Sequence, residues 1–193
     1  MPVSTGPELR TERLLLRRWL DSDRAPFARL NADPEVMRYL QGPRSRERSD
    51  ASIALFERSF EDQGWGLWAV EVVEAGSFIG FVGLARSDFD ATFTPAVEVG
   101  WRLARHAWGQ GYATEASTAA LRFGLGAAGI QDVMSWTASI NRRSRLVMER
   151  LGLHHDADAD FEHPRVPVGD PLRPHVLYRL TAETRAAYLS KKC

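Results

Sequence analysis

Gly109-Gln110-Gly111 stands between a strand-like segment and a helix-like one. Glycine there lets the backbone approach a ligand closely. The first turn of the following helix leaves N–H groups unpaired at the positive end of the helix dipole. A phosphate or pyrophosphate is the natural occupant. A Walker A loop needs Gly-Lys-Ser/Thr, and this stretch has no lysine. A Rossmann fingerprint needs Gly or Ala where Thr114 stands, and Ala104 to Trp108 separate the loop from its strand. An ordinary glycine-bearing loop with a helix cap stays open beside the phosphate reading. Glu98 interrupts the apolar residues Val97 and Val99 on the preceding strand. In a cleft such a carboxylate can accept a proton; on a solvated face it is only a polar position. Asn141 precedes a helix that Gly152 ends, so it is a good N-cap, with Ser144 in the first turn.

The elements that must position these residues follow from periodicity. Arg13-Leu14-Leu15-Leu16-Arg17-Arg18-Trp19 reads as a first strand. Asp21-Ser22-Asp23 offers helix caps. Helices are predicted at 24–31, at 34–40 after Asp33, and at 45–62, where Ile53, Phe56 and Phe60 recur at helical spacing. Residues 67–73 and 78–84 form a hairpin around Glu74-Ala75-Gly76-Ser77. Residues 96–103 add a third strand. A helix at about 111–128, a strand at 133–138, a helix at 141–151 and strands at 153–161 and 175–180 complete the order. This is a mixed α/β sheet in one domain over residues 1–193, mostly antiparallel and flanked by helices. A strict βαβ alternation would not place a three-strand meander in the middle.

Composition bounds the partners. The 193 residues carry zero formal net charge, with 44% hydrophobic and 26% charged residues. That balance gives no argument for nucleic acid. No apolar run reaches the roughly 20 residues that span a bilayer. Met1-Pro2-Val3-Ser4-Thr5-Gly6 lacks a basic start followed by an apolar stretch, so a cytoplasmic location is expected. The one cysteine, Cys193, excludes a disulfide framework and a cysteine zinc site. His154, Asp156, Asp158 and Asp160 would share one face of a strand. No further ligand cluster accompanies them, so a solvated edge strand is expected there, and no metal. Apart from Lys191 and Lys192, the positive charge is arginine.

The wider string Arg105-His106-Ala107-Trp108-Gly109-Gln110-Gly111-Tyr112-Ala113-Thr114-Glu115-Ala116 resembles the acetyl-CoA signature of the GCN5-related N-acetyltransferases (GNAT). The strand Val97-Glu98-Val99-Gly100-Trp101-Arg102-Leu103 resembles the one that precedes that signature in those enzymes. Asn141-Arg142-Arg143-Ser144, with Leu151-Gly152-Leu153, resembles the corresponding segment of the branch that acetylates ribosomal-protein N-termini, the RimJ/RimL-like branch. Asp33-Pro34-Glu35-Val36-Met37-Arg38-Tyr39-Leu40 and Gly64-Trp65-Gly66-Leu67-Trp68-Ala69-Val70 add to the likeness, which covers about residues 10–181.

The resemblance implies acetyl transfer from acetyl-CoA to a primary amine by direct attack on the thioester. It implies pyrophosphate on the amides of Gly109, Gln110, Gly111, Tyr112 and Ala113, with Trp108 and Thr114 beside them. It implies pantetheine along Trp101, Arg102 and Leu103, where a free amide can stabilise the thioester oxygen. Arg102 and Arg105 are candidates for the phosphates, as are the arginines around Ser144, Arg143 among them. Glu98 is then the general base, since an amine attacks only when neutral and its pKa lies at roughly 8 to 10. Asn141 would touch the pantetheine amide and Ser144 would donate to the sulfur, with Tyr178 and Tyr112 as alternative acids. Arg38, Tyr39, Trp65, His163 and His175 are candidates for the acceptor side, Trp68 being expected in the core. The insert 161–175, unusually long, is expected to be functional or surface loop. The acceptor stays open between a protein α-amine and a small-molecule amine such as an antibiotic or metabolite; a non-catalytic acyl-CoA sensor is the rival reading. An exposed edge strand offers a surface for a homodimer.

Overall fold

Leu14 and Leu16, Trp68 and Val70, Val82 and Leu84 alternate along their strands and are all fully buried, so the main core grows from one face of a sheet. The computed structural model describes residues 7–190; the stretch Met1-Pro2-Val3-Ser4-Thr5-Gly6, Lys191, Lys192 and Cys193 lie outside the described residues. In chain order the elements are β1 (Leu9–Arg10), β2 (Leu14–Arg17), α1 (Arg24–Ala32), α2 (Arg46–Gln63), β3 (Leu67–Val72), β4 (Ser77–Ser87) and β5 (Ala96–Leu103). There follow α3 (Tyr112–Leu125), β6 (Met134–Ala138), α4 (Arg142–Arg150), β7 (Leu153–His155), β8 (Phe161–Glu162), β9 (Pro174–Leu180) and α5 (Ala182–Ser190).

The strands lie in the order β1-β2-β3-β4-β5-β6-β9-β7, with β8 also on β9. Among the described residues β5–β6 is the one parallel pairing, and α3 makes the crossover that such a pair requires. Ala116, Ala120 and Leu121 of α3 and Met148 of α4 cover the Leu84 and Val99 face. On the other face Phe27 and Leu30 of α1 and Ile53 of α2 pack with Trp19, Ala69 and Phe81. The Trp19 and Phe27 rings are 4.8 Å apart, tilted as aromatic pairs prefer.

The meander β3–β4–β5 and the alternation after it stand where periodicity predicts them. Other expectations are corrected. Residues 34–40 form successive turns, not a helix. Seven residues ended by Gln41 in the left-handed region (φ 64) are too few to repay helix nucleation. Asp23 does not cap α1; its carboxylate accepts from Leu20 N–H (2.8 Å) and pairs with Arg17 (2.7 Å). The strand predicted at 153–161 breaks into β7, a short helical turn and β8. His155 instead bonds Asp160 (2.9 Å), which folds the run back on itself, and no metal-holding group of His, Cys, Asp or Glu occurs among the described residues. The insert 161–175 is a hairpin, since Phe161 and Glu162 pair with His175 and Pro174. Helix α5 is absent from the sequence reading; its signal is Thr181, whose hydroxyl accepts from Thr184 N–H (3.2 Å) as a cap does. No helix among the described residues is long and apolar enough to cross a membrane.

Candidate active site

The β5–β6 ladder registers at Glu98↔Met134, and beyond it the strands part. Strand geometry decides what the gap exposes. Leu84 N–H bonds Gly66 on the β3 side, so Val99, paired with Leu84, directs its own backbone polar groups toward β6. Val99 O there accepts from Ser135 Oγ (2.9 Å). By the same alternation the N–H groups of Trp101 and Leu103 face the gap. The Leu103 carbonyl is already taken by the Trp108 indole N–H (2.8 Å). A backbone edge is thus left for an extended ligand to pair with.

That gap is a cavity of about 690 Å³, running from the turn at the start of α3 to the turns at 35–40 that follow α1. Gly109 (φ 76) and Gly111 (φ 81) hold the left-handed conformation there, which L side chains rarely adopt. Gly111 is the N-cap of α3 and has no side chain to satisfy the free N–H groups. Arg13 secures the turn by donating to Gln110 O (3.1 Å) and to Glu115 (2.7 Å), which also accepts from Thr11 Oγ1 (2.6 Å). Burial by itself would raise the Glu115 carboxyl pKa, but these hydrogen bonds carry it below the usual range. Glu115 therefore ties α3 to the first strands. Trp108, Gly109, Gly111, Tyr112, Ala113 and Thr114 line the cavity; Gln110 is exposed beside it.

Glu98, Gly100 and Arg102 share the face of β5 toward α1, since Val99 and Leu103 point into the main core. The Glu98 carboxyl leans over Gly100, 3.9 Å from where a Cβ would stand. It has no hydrogen-bond partner among the described residues, and burial pushes its pKa up to about 8. The Arg102 guanidinium does not turn to the glycine turn before α3. Its Nη1 donates to Asn31 Oδ1 of α1 (2.6 Å), and the group lies over the Phe81 ring (5.2 Å). It thus points away from the turn at which the resemblance implies phosphate, while still lining the same cavity.

Asn141 caps α4 by accepting from Ser144 N–H (3.3 Å). Its Nδ2 donates to Thr137 Oγ1 (2.9 Å) and Ser144 Oγ (3.0 Å). Both amide hydrogens are thus used inside the protein, and the Ser144 hydroxyl is left free to donate into the cavity. Arg143 lies over the Trp108 ring (4.5 Å) on the cavity wall. Arg145 turns away, to Tyr178 Oη and Ser139 O (3.3 Å each). Tyr178 itself is buried and donates to Glu149 (3.2 Å), outside the cavity, whereas Tyr112 lines it.

Of the acceptor-side candidates, Arg38 and Tyr39 line the cavity. Trp65 does not: it is 5% exposed in the main core, as Trp68 is at 0%. His163 and His175 stand behind the wall, in a ring cluster with Phe89 and Phe161 that reaches the cavity through Trp136. Ser135, Thr137 and Asn31 escape sequence reasoning; the signal for the first two is polar alternation in an otherwise apolar strand.

Comparison with known proteins adds the family. The acetyltransferase (GNAT) domain matches residues 13–154. The uncharacterized protein YkkB of Bacillus subtilis (strain 168) is 30% identical over 154 residues, covering 79% of this chain and 88% of YkkB. FsC-acetyl coenzyme A-N(2)-transacetylase of Aspergillus fumigatus is 32% identical over 190 residues, covering 95% of this chain and 80% of that protein. A solved acetyltransferase from Agrobacterium tumefaciens str. C58 superposes with a TM-score of 0.74 at 27% identity, over 91% of this chain and 94% of its own.

Proposed function

Because the chain belongs to the acetyltransferase (GNAT) family, we propose that it moves the acetyl group of acetyl-CoA onto a primary amine, with Glu98 as the base. The observation that carries this reading is the open edge of β5, with Glu98 at one end and the glycine turn of α3 at the other. Pantetheine fits that edge as an added strand, and pyrophosphate fits the N–H groups of Gly109 to Ala113. The amide of Trp101 is the donor for the thioester oxygen as charge develops on it.

The amine forms its bond to the acetyl carbon as the C–S bond breaks. Glu98 takes the proton the amine sheds. Its pKa of about 8 is close to that of an α-amine, which keeps the transfer nearly balanced. Ser144 donates to the departing sulfur, and a water supplies the proton that completes the thiol. Asn141 positions Ser144. Arg143, on Trp108, is placed for a phosphate of the coenzyme.

The acceptor is the α-amine of a protein or peptide, as the RimJ/RimL-like pattern at Asn141 to Ser144 suggests, or a small-molecule amine. The second source is favoured by the Aspergillus relative, whose name pairs acetyl coenzyme A with N(2) transacetylation. An acceptor screen that reads thiol release over N-terminal peptides, polyamines and aminoglycosides tests the reading. Tight acetyl-CoA binding with no turnover on any amine would instead favour a non-catalytic sensor. A cytoplasmic location and a homodimer belong to the same proposal.

A further inference from the structure

Arg102 brings a positive charge to the acceptor side of the cavity, where the other lining carboxylate besides Glu98, Glu35, pairs with Arg38 (3.9 Å) and not with Arg102. It stands four residues along β5 from Glu98, about 13 Å between Cα atoms, with only Gly100 between them on that face. Its seat is built from buried groups. Asn31, fully buried, accepts from Arg102 Nη1 (2.6 Å) and donates to Ser49 Oγ (3.0 Å), also fully buried. The Asn31 backbone carbonyl accepts from Arg44 N–H (2.8 Å), so one asparagine brings a second arginine beside the first. Arg102 Nε is buried without a hydrogen-bond partner. Among the described residues no carboxylate bonds Arg102 or Arg44.

Like charges are thus gathered on half-buried side chains, with Arg102 on the cavity wall, and an anion there would relieve their repulsion. Burial and then Arg44 push the Arg102 pKa down to about 9, and burial and then Arg48 lower that of Arg44. Glu98 does not supply the missing charge, because its own shift comes from burial alone. The coenzyme phosphates are not placed to supply it either, as their turn lies at α3, on the opposite face of the sheet. A guanidinium fork with free N–H groups is matched to a carboxylate.

We infer that Arg102, seated on Asn31 beside Arg44, receives a carboxylate carried by the acceptor. The amine acetylated thus belongs to an acidic molecule, with its carboxylate several bonds from the nitrogen. This rests on the transfer reading above. A small amino acid-like amine and a peptide N-terminus with an acidic side chain present the same chemistry.

The test compares ε-aminocaproate with hexylamine and cadaverine, and N-terminal peptides that differ by Glu against Gln at the second position. The peptide and small-molecule arms separate the two sources. The expected result is a kcat/KM preference of roughly 10- to 100-fold for the carboxylate-bearing member of a pair. In Arg102→Gln that preference falls close to unity, and Arg102→Lys recovers part of it. Heat protection by acetyl-CoA reports that each variant is folded. Equal or better turnover of hexylamine or cadaverine by the unaltered protein overturns the inference and leaves the transfer reading standing. So does an Arg102→Gln variant whose KM for acetyl-CoA rises while its acceptor preference holds, since the anion would then be a phosphate of the coenzyme. If no amine turns over, calorimetry still decides. Binding of ε-aminocaproate to the CoA-loaded protein that is lost in Arg102→Gln supports the site, and no binding overturns it.

Discussion

Glu98 is a half-buried carboxyl group on the cavity wall with no hydrogen-bond partner among the described residues, and the pH dependence of the proposed base follows from that setting. A base works only when ionised. With a pKa near 8, Glu98 is largely protonated below that pH, so kcat/KM should rise with pH through about 8 and then level off. In Glu98→Gln turnover should fall by roughly 10² to 10⁴-fold, and the part of the profile due to Glu98 should vanish. A full-length pH–rate series on both proteins measures this; unchanged turnover with a good acceptor excludes the base role. Asn141 is a different kind of residue, one that under the proposed function acts through Ser144, which it bonds (3.0 Å). Asn141→Ala removes a helix cap and should cost about 1 kcal/mol, seen as a lowered Tm. Asn141→Asp keeps the cap acceptor but loses the donor to Ser144, so it should lower kcat while sparing most of the stability.

At the level of elements, the site is made by a strand that stops pairing and a helix that starts without a side-chain cap. β5 is held by β4 along its whole length on one edge, while its other edge leaves β6 after Glu98. The twist of a sheet and the crossover through α3 open that gap without breaking the fold. The turn before α3 depends on conformation more than on space, since a Cβ at Gly111 would meet only Arg13 Nη2 at 3.5 Å. Valine at Gly111 must hold a φ of 81 that a β-branched residue avoids, at a cost of roughly 1–2 kcal/mol. Gly111→Val should therefore still fold but move the amides proposed to take the pyrophosphate. Acetyl-CoA, which should raise the Tm of the unaltered protein, should no longer do so. Persistence of that shift would place the phosphate elsewhere.

Across the whole molecule, two segments distant in sequence meet, the first of which lines the cavity. The turn at 34–42 and the loop at 163–173 meet where Gln41 Nε2 donates to Arg165 O (3.0 Å). The loop is fixed from beneath by the rings of Phe89, Trp136, Phe161, His163 and His175. Burial, then the nearby His175, pushes the His163 pKa down to about 4. Between that value and about 6.5 the unfolded chain binds the proton more readily than the folded one. This group's contribution is thus intact near neutrality and is lost as pH falls through that window. His163→Phe keeps a ring and removes the proton site, so its Tm should fall less steeply over the same range. The sequence by itself determined the meander, the glycine turn before α3 and the cap at Asn141, because these rest on local periodicity, turn chemistry and caps; the grouping of Glu98, Asn141 and Ser144 around that turn came from the family resemblance. It misplaced Trp65, His163, His175 and the reach of Arg102, which local pattern cannot settle. An aromatic or a histidine reads alike in a core and at a wall, and the direction of a long side chain depends on a partner such as Asn31 from another element. Only the tertiary structure decided that β5 and β6 part after one registered pair, because that gap comes from strands far apart in the chain. The tertiary structure likewise sets Arg102, bonded by no carboxylate among the described residues, on the same face as the Glu98 carboxyl.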